Sequence, residues 1–344
     1  MFELTKSTAV AVQGQPEVSN EDVLLSLVDE NRRILPISDN NVYFIPLEEG
    51  VKSRGITMQQ LAASSDLTDK DGNIMNGINA YTLIGKVAEM AREIHADCRI
   101  ADLFVADNKN RAQGNGIAIN KNLCTAYQQK TGTQNIPFAA TTFNRVFCNI
   151  TLSRYQTDTH VANIVVATNQ RGLQVAIGAN CHACRNQTIL GANRLVQSYG
   201  NNARSQMPVE EFLKCVYLML QGYRFQDDIT ALEKMKRVPV SQEEMVKIVG
   251  ELTAIRVAFD SSVQSVRSLV KDGGDCYPMS QTQINRFMES LLLTCVRRHG
   301  QITLYDVYQS ATALYKVYSM DMPNILPQNA AFVSFISDRY GLGI

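Results

Sequence analysis

The chain has 344 residues, of which 45% are hydrophobic and 19% charged. That length holds one large domain or two ordinary ones, and the composition excludes intrinsic disorder, collagen and coiled coil. Lys plus Arg and Asp plus Glu both number 33, so the net charge of zero becomes informative only when resolved along the sequence.

Residues 1 to 108 carry 9 basic and 17 acidic side chains. The next 96 residues carry ten basic ones (Lys109, Arg111, Lys121, Lys130, Arg145, Arg154, Arg171, Arg185, Arg194 and Arg204) against the single acid Asp158. Residues 205 to 344 hold 14 and 15, close to balance. A cationic middle is therefore flanked by an acidic and a neutral segment. The opening residues Met1 to Lys6 lead into polar sequence, and no apolar run approaches the ~18 residues that span a membrane. The eight cysteines then read as reduced thiols of a cytoplasmic protein with no membrane partner.

Along the chain, Ser19-Asn20-Glu21-Asp22 has capping-box spacing and predicts a helix from about residue 21 to 33. Thr57-Met58-Gln59-Gln60 repeats the signal before Leu61, and Asp69-Lys70-Asp71-Gly72-Asn73 reads as a polar turn. Ile78, Leu83, Ile84, Val87, Met90 and Ile94 form a helical stripe. The period then changes. Strands are predicted near Arg99 to Val105, Gly116 to Asn120 and Phe138 to Leu152, and His160 to Thr168 with Leu173 to Ile177 flank Asn169-Gln170-Arg171-Gly172 as a hairpin. After Gly200-Asn201-Asn202 the pattern is helical, with caps at Ser241-Gln242-Glu243-Glu244, Ser280-Gln281-Thr282-Gln283 and Thr303-Leu304-Tyr305-Asp306. Pro208, Pro239 and Pro278 are expected at or just before helix starts. The predicted fold class is α+β: a central antiparallel sheet with a basic face, a helical N-terminal segment and a helical C-terminal layer. The corresponding regions are 1–98, acidic and mainly helical; 99–204, basic and β-rich; and 205–344, helical.

Cys181-His182-Ala183-Cys184 offers two thiols and an imidazole, but no second close pair that a structural zinc site uses; a strand end with small buried side chains is the plainer reading. The four histidines and many serines come with no nucleophile elbow, Gly114-Asn115-Gly116 lacks the third glycine of a dinucleotide loop, and no P-loop is present. Asp227-Asp228 and Asp272 with Asp275 read as solvated or capping acids. No catalytic residue, metal or cofactor is assigned.

The cationic segment fits a recognised task. Its ten basic side chains can neutralise phosphates, with affinity driven by counterion release. Its 14 Asn and 9 Gln suit base edges and sugars, and Tyr127, Phe138, Phe143, Phe147, Tyr155 and Tyr199 could stack unpaired bases. The alternative is that the aromatics are core and the cations pair with the acidic residues of 1 to 108. Near the C-terminus, Tyr305, Tyr308, Thr312 and Tyr315 share a helix face beside Leu304, Val307, Ala311 and Leu314, a pattern expected for a helix buried on two sides.

The run Asn169-Gln170-Arg171-Gly172-Leu173-Gln174-Val175-Ala176-Ile177-Gly178, followed by Cys184-Arg185-Asn186-Gln187-Thr188, resembles the Asn-x-x-Gly hairpin with Cys-x-Asn and a nearby Thr of the uncharacterised phage- and plasmid-like proteins of bacterial mobile elements. Gln187 here separates an Asn and a Thr that are adjacent in that family. The segment from Tyr305 to Tyr315 resembles the family's closing aromatic helix, so that the likeness covers about residues 99 to 340. It implies a setting in phage or plasmid DNA metabolism. The outline of a basic sheet followed by helices is similar to that of RecT/Erf-type single-strand annealing proteins. The expectation is thus a non-enzymatic, homo-oligomeric protein binding single-stranded DNA in recombination or replication, with the ten basic residues as its contacts. A structural or assembly protein of a phage particle is the second expectation, and a metal-dependent nuclease the third.

Overall fold

A computed structural model describes residues 44–45, 53–106, 117–122, 125–126, 129, 136–137, 140–170, 172–181, 187–188, 190, 192–199, 207–263, 265, 279–318 and 322–342. The elements in chain order begin with β1 (Phe44–Ile45), β2 (Ser53–Gly55), α1 (Met58–Ala63), α2 (Ala80–His95) and β3 (Arg99–Ala106). There follow β4 (Ile117–Ile119), β5 (Ile136–Pro137), β6 (Thr141–Phe143), β7 (Arg145–Gln156), β8 (His160–Asn169), β9 (Gly172–Cys181), β10 (Gln187–Thr188) and β11 (Leu195–Tyr199). The last part holds α3 (Val209–Gly222), α4 (Phe225–Arg237), β12 (Pro239–Val240), α5 (Gln242–Asp260), α6 (Gln281–Arg297), β13 (Ile302–Thr303), α7 (Leu304–Tyr318) and α8 (Met322–Tyr340). The fold is α+β, with an antiparallel sheet and a helical C-terminal layer. No described helix is long and apolar enough to cross a membrane.

Compactness divides the chain into two units that interleave along the sequence. Unit 1 comprises Met1–Met75, Asn79–Tyr81 and Leu103–Arg145; unit 2 comprises Asn76–Ile78, Thr82–Asp102 and Val146–Ile344. The three consecutive regions read from the sequence follow changes of period; of the β-rich middle, residues 103–145 fall in unit 1, and residues 146–204 share unit 2 with the helical end, because the apolar faces of a sheet need helices to cover them.

In unit 1, β2 pairs with the second half of β3, β1 with β5 and β4 with β6, all antiparallel. The predicted cap at Thr57 is a full capping box: its Oγ1 accepts from the Gln60 N–H at 3.1 Å and the Gln60 side chain accepts from the Thr57 N–H at 2.9 Å. The predicted turn closes on Asp69, whose Oδ1 accepts the N–H groups of Asp71 and Asn73, both at 2.9 Å. Gly72 there has φ 82°, a left-handed conformation that favours glycine.

In unit 2, β10 and β11 both pair with β9, and the order continues β9-β8-β7-β3. The β8–β9 hairpin pairs from Asn169↔Gly172 to His160↔Cys181, and Asn169 Oδ1 accepts the Gly172 N–H at 3.0 Å, closing the two-residue loop. Alternation divides its side chains. Ala162, Ile164 and Val166 with Val175, Ile177 and Ala179 share one face, all at most 1% exposed. On the other face Val165, Ala167 and Ala176 pack with Leu326 and Ala330 of α8, flanked by Phe147 and Leu195. The hairpin is thus covered on both sides, and neither strand carries a formal charge. The basic side chains described in the sheet lie instead on β7, at Arg145 and Arg154, and on β3, at Arg99.

The C-terminal helices keep the predicted caps. Ser241 Oγ accepts from the Glu244 N–H, Ser280 and Gln283 form a reciprocal box, and Thr303 exchanges hydrogen bonds with Asp306. Pro208 is the N-cap of α3, but Pro239 lies in β12, paired with Thr303, three residues ahead of α5; Pro278 and the predicted helix from 21 to 33 lie outside the described residues. Tyr308 is fully buried, with its hydroxyl donating to Asn329 Oδ1 at 3.2 Å, and Val307, Ala311 and Thr312 are buried around it. Arg339 near the end of α8 ties that helix to Glu244 and Glu251 of α5.

Candidate nucleic-acid interface

Four of the ten expected basic contacts are described. Lys121 and Arg154 are exposed, and Arg145 is half-buried at the start of β7. Arg194 departs from the expectation of a surface phosphate contact: it is 8% exposed, its Nη2 lies 3.7 Å from Asp228 Oδ1, and its guanidinium covers the Tyr223 ring at 4.8 Å. A buried carboxylate and an aromatic face hold the cation inside. Lys109, Arg111, Lys130, Arg171, Arg185 and Arg204 lie outside the described residues.

The expected stacking aromatics also differ. Phe143 is 6% exposed, Phe147 packs against the cluster under α8, and Tyr155 meets the His95 ring edge-on at 5.4 Å and lies 6.3 Å from Phe225. Rings of this size bury too much apolar area to remain on the surface when a core is within reach. Nothing is described of the Tyr127, Phe138 and Tyr199 side chains.

Arg194 belongs to a buried polar network that no local pattern announces. The Tyr223 hydroxyl donates to Asp228 Oδ2 at 2.8 Å, and the Tyr223 ring stands edge-on to His95 at 6.3 Å. His95 Nε2–H donates to the Leu220 carbonyl at 3.0 Å, leaving Nδ1 to accept from the Tyr155 hydroxyl at 3.4 Å. Burial holds the His95 imidazole below its usual pKa, with the nearby Arg224 charge adding to the effect. Burial also raises the Asp228 carboxyl to about 7, against the pull of Arg194 and the Tyr223 hydroxyl. Asp228, read from sequence as a solvated or capping acid, is 1% exposed. Asp272 and Asp275 lie outside the described residues.

The sheet face that α8 covers changes character along its length. Beyond Val165 and Ala176 the same face continues through Asn163 and then the pair Val161 and Asn180. Asn163 Nδ2 donates to Asn149 Oδ1 at 3.1 Å, and the Thr151 hydroxyl donates to Asn163 Oδ1 at 3.4 Å. This amide patch adjoins an open depression of about 410 Å³, lined by Arg99 to Asp102, Val161, Asn180 and Cys181. Composition counts asparagines only as a class, and the hairpin register decides which of them share a face.

Cys181 is buried and faces His160 across the ladder, while His182 and Cys184 lie outside the described residues. Among the described residues no group of three or more His, Cys, Asp or Glu could hold a metal ion. Burial pushes the Cys148 thiol up to about 12, so little of it is thiolate at neutral pH.

No family model, curated protein or solved structure matches the chain.

Proposed function

We propose that the chain is a non-enzymatic nucleic-acid-binding protein with a preference for single strands. In this reading it works as a cytoplasmic homo-oligomer, and the resemblance noted above implies a setting in phage or plasmid DNA metabolism, in recombination or replication. The observation that carries the reading is the segregation of ten basic residues against one acid over 96 positions. Such a segment gains free energy on a polyanion by releasing condensed counterions. One feature of the structure supports it: Lys121 and Arg154 are exposed, while Arg194, held by Asp228, leaves the contact set. Amides grouped on one sheet face add donors and acceptors for bases and sugars. Fluorescence anisotropy with a labelled single-stranded 30-mer and its duplex tests the reading; tighter binding of the single strand is expected, and no binding of either refutes it.

An assembly role in a phage particle is favoured by one separate observation. Leu292, Leu293 and Val296 of α6 and Val246 and Val257 of α5 are between 47% and 75% exposed, an apolar set suited to another protein surface. Static light scattering of Leu292→Glu with Val296→Glu tests it: a lower mass than the parent supports an assembly surface, and an unchanged mass removes it.

A further inference from the structure

Two helix ends meet beside a short ladder in unit 2. Pro239 and Val240 of β12 pair with Thr303 and Ile302 of β13, and the Leu304 N–H donates to the Val238 carbonyl at 2.9 Å, so the last turn of α4 lies against the start of α7. α6 reaches the same ladder through a tight turn. The Gly300 N–H donates to the Cys295 carbonyl at 2.8 Å and the His299 N–H to that of Val296 at 3.2 Å, the paired bonds of a Schellman motif, with His299 at φ 51° and Gly300 at φ 82°. Cations are favoured in the last turn of a helix, where unpaired carbonyls point outward. α4 ends with Lys234, Lys236 and Arg237, and α6 with Arg297 and the capping Arg298. The ladder thus gathers cations that stand far apart in the sequence.

Contacts to neighbouring residues of α7 tie the two groups together: Lys236 Nζ lies 5.3 Å from the centre of the Tyr305 ring, and Arg298 Nη2 lies 2.9 Å from Asp306 Oδ1. Lys236 also meets Glu233 at 2.6 Å. Five cations therefore stand against two carboxylates, an excess of three positive charges. The start of α5 is close by, with Gln242 Nε2 3.8 Å from Cys295 Sγ, but its Glu243 and Glu244 are taken by Lys247 and Arg339. The partial charges of two helix ends, α4 and α6, oppose those of two helix starts, α5 and α7, and leave the excess in place. Arg237 and Arg297 are exposed and make no ion pair with a described residue. Residues 205 to 344 are close to charge balance as a whole, so composition hides this surface. We propose that it is a second phosphate contact for a nucleic-acid strand, built from side chains outside residues 109 to 204. The half-buried Tyr305 ring among these cations adds aromatic surface of the kind that single strands use, which an acidic peptide would not need. This inference rests on the nucleic-acid reading and gives it a contact that the charge pattern of the sequence does not show.

The full chain and its paired variants are titrated by anisotropy with a labelled single-stranded 30-mer over a range of salt concentrations. Arg237→Gln with Arg297→Gln should reduce the slope of log affinity against log salt by about 1.4, at about 0.7 per phosphate, and weaken binding about 25-fold near 0.1 M salt. Arg237→Lys with Arg297→Lys keeps both charges and should keep the parent slope. Lys86→Gln with Lys214→Gln removes the same net charge from exposed positions on α2 and α3 and should also leave the slope unchanged. An unchanged slope in the first pair, or an equal fall in the Lys86 and Lys214 pair, overturns the proposal, while strand binding by the parent keeps the general reading. If the first pair lowers the slope and Lys121→Gln with Arg154→Gln does not, this surface stands and the cationic segment loses its described contacts. No strand binding by the parent overturns both. Unlabelled polyglutamate that competes as well as an unlabelled strand of equal charge assigns the surface to acidic polypeptides and overturns the proposal. Urea midpoints confirm that the variants fold; if the glutamine pair does not, Arg297→Gln alone should carry half of the slope change, and an unchanged slope there would equally overturn it.

Discussion

Replacing Arg194 by Met should destabilise the protein more at alkaline than at acidic pH. In the folded chain the Asp228 carboxyl is raised from 3.8 to about 7, because burial outweighs the pull of Arg194 and Tyr223. The folded state therefore holds the proton more tightly than the unfolded state. The contribution of Asp228 to stability is full below about pH 4 and is lost as pH rises through about 7. Removing the Arg194 charge, 3.7 Å from Oδ1, pushes the carboxyl higher still. At about pH 5.5 both proteins carry a protonated Asp228 and the charge matters little. At about pH 8 the parent holds a carboxylate against Arg194, whereas the variant must keep the proton. Linkage converts that further rise into an extra loss on the order of 1 kcal/mol at pH 8 relative to pH 5.5. A pH-independent loss of about 1 to 2 kcal/mol comes with the guanidinium over Tyr223. Urea unfolding followed by far-ultraviolet circular dichroism at the two pH values measures both parts. Arg194→Met combined with Asp228→Asn should show no pH-dependent excess over Asp228→Asn alone. An equal loss at both pH values, or a larger one in acid, would refute the assignment of Asp228 as the group that Arg194 controls.

Further perturbations follow from other contacts. Ser280→Ala removes the oxygen that caps α6 and should lower stability by about 1 kcal/mol, read as a lower urea midpoint with unchanged slope. Tyr308→Phe leaves the buried Asn329 amide without the hydroxyl that reaches it and should cost about 1 to 2 kcal/mol in the same assay. Replacing Arg171 and Arg185 together should reduce the salt slope of single-strand binding by about 1.4 if each meets a phosphate; an unchanged slope would remove both from the contact set.

Local signals were legible wherever one short run determines the geometry. The Asn169 to Gly172 turn needs only its own side chain and a glycine, and the caps at Thr57, Ser241 and Ser280 need only residues within one turn. Pro239 lies just ahead of the α5 cap as its sequence suggests, but its pairing with β13 depends on a partner strand that the surrounding sequence does not reveal. The site was less legible for the same reason on a larger scale. Asp228 looks like any helical acid until Tyr223 and Arg194 enclose it, and Asn163 and Asn180 become neighbours only through the hairpin register. Whether a strand face is apolar core or amide patch is decided by where α8 ends its cover of β8 and β9, a tertiary fact. Charge segregation is different in kind: it is a property of composition, legible before any fold.

The central claim, that the cationic segment meets a polyanion, is tested most directly by the salt dependence of single-strand affinity. With five to eight phosphates neutralised, log affinity against log salt should fall with a slope of roughly −3.5 to −5.6, taking about −0.7 per phosphate. A flat dependence, with affinity unchanged between about 50 and 200 mM salt, would contradict it.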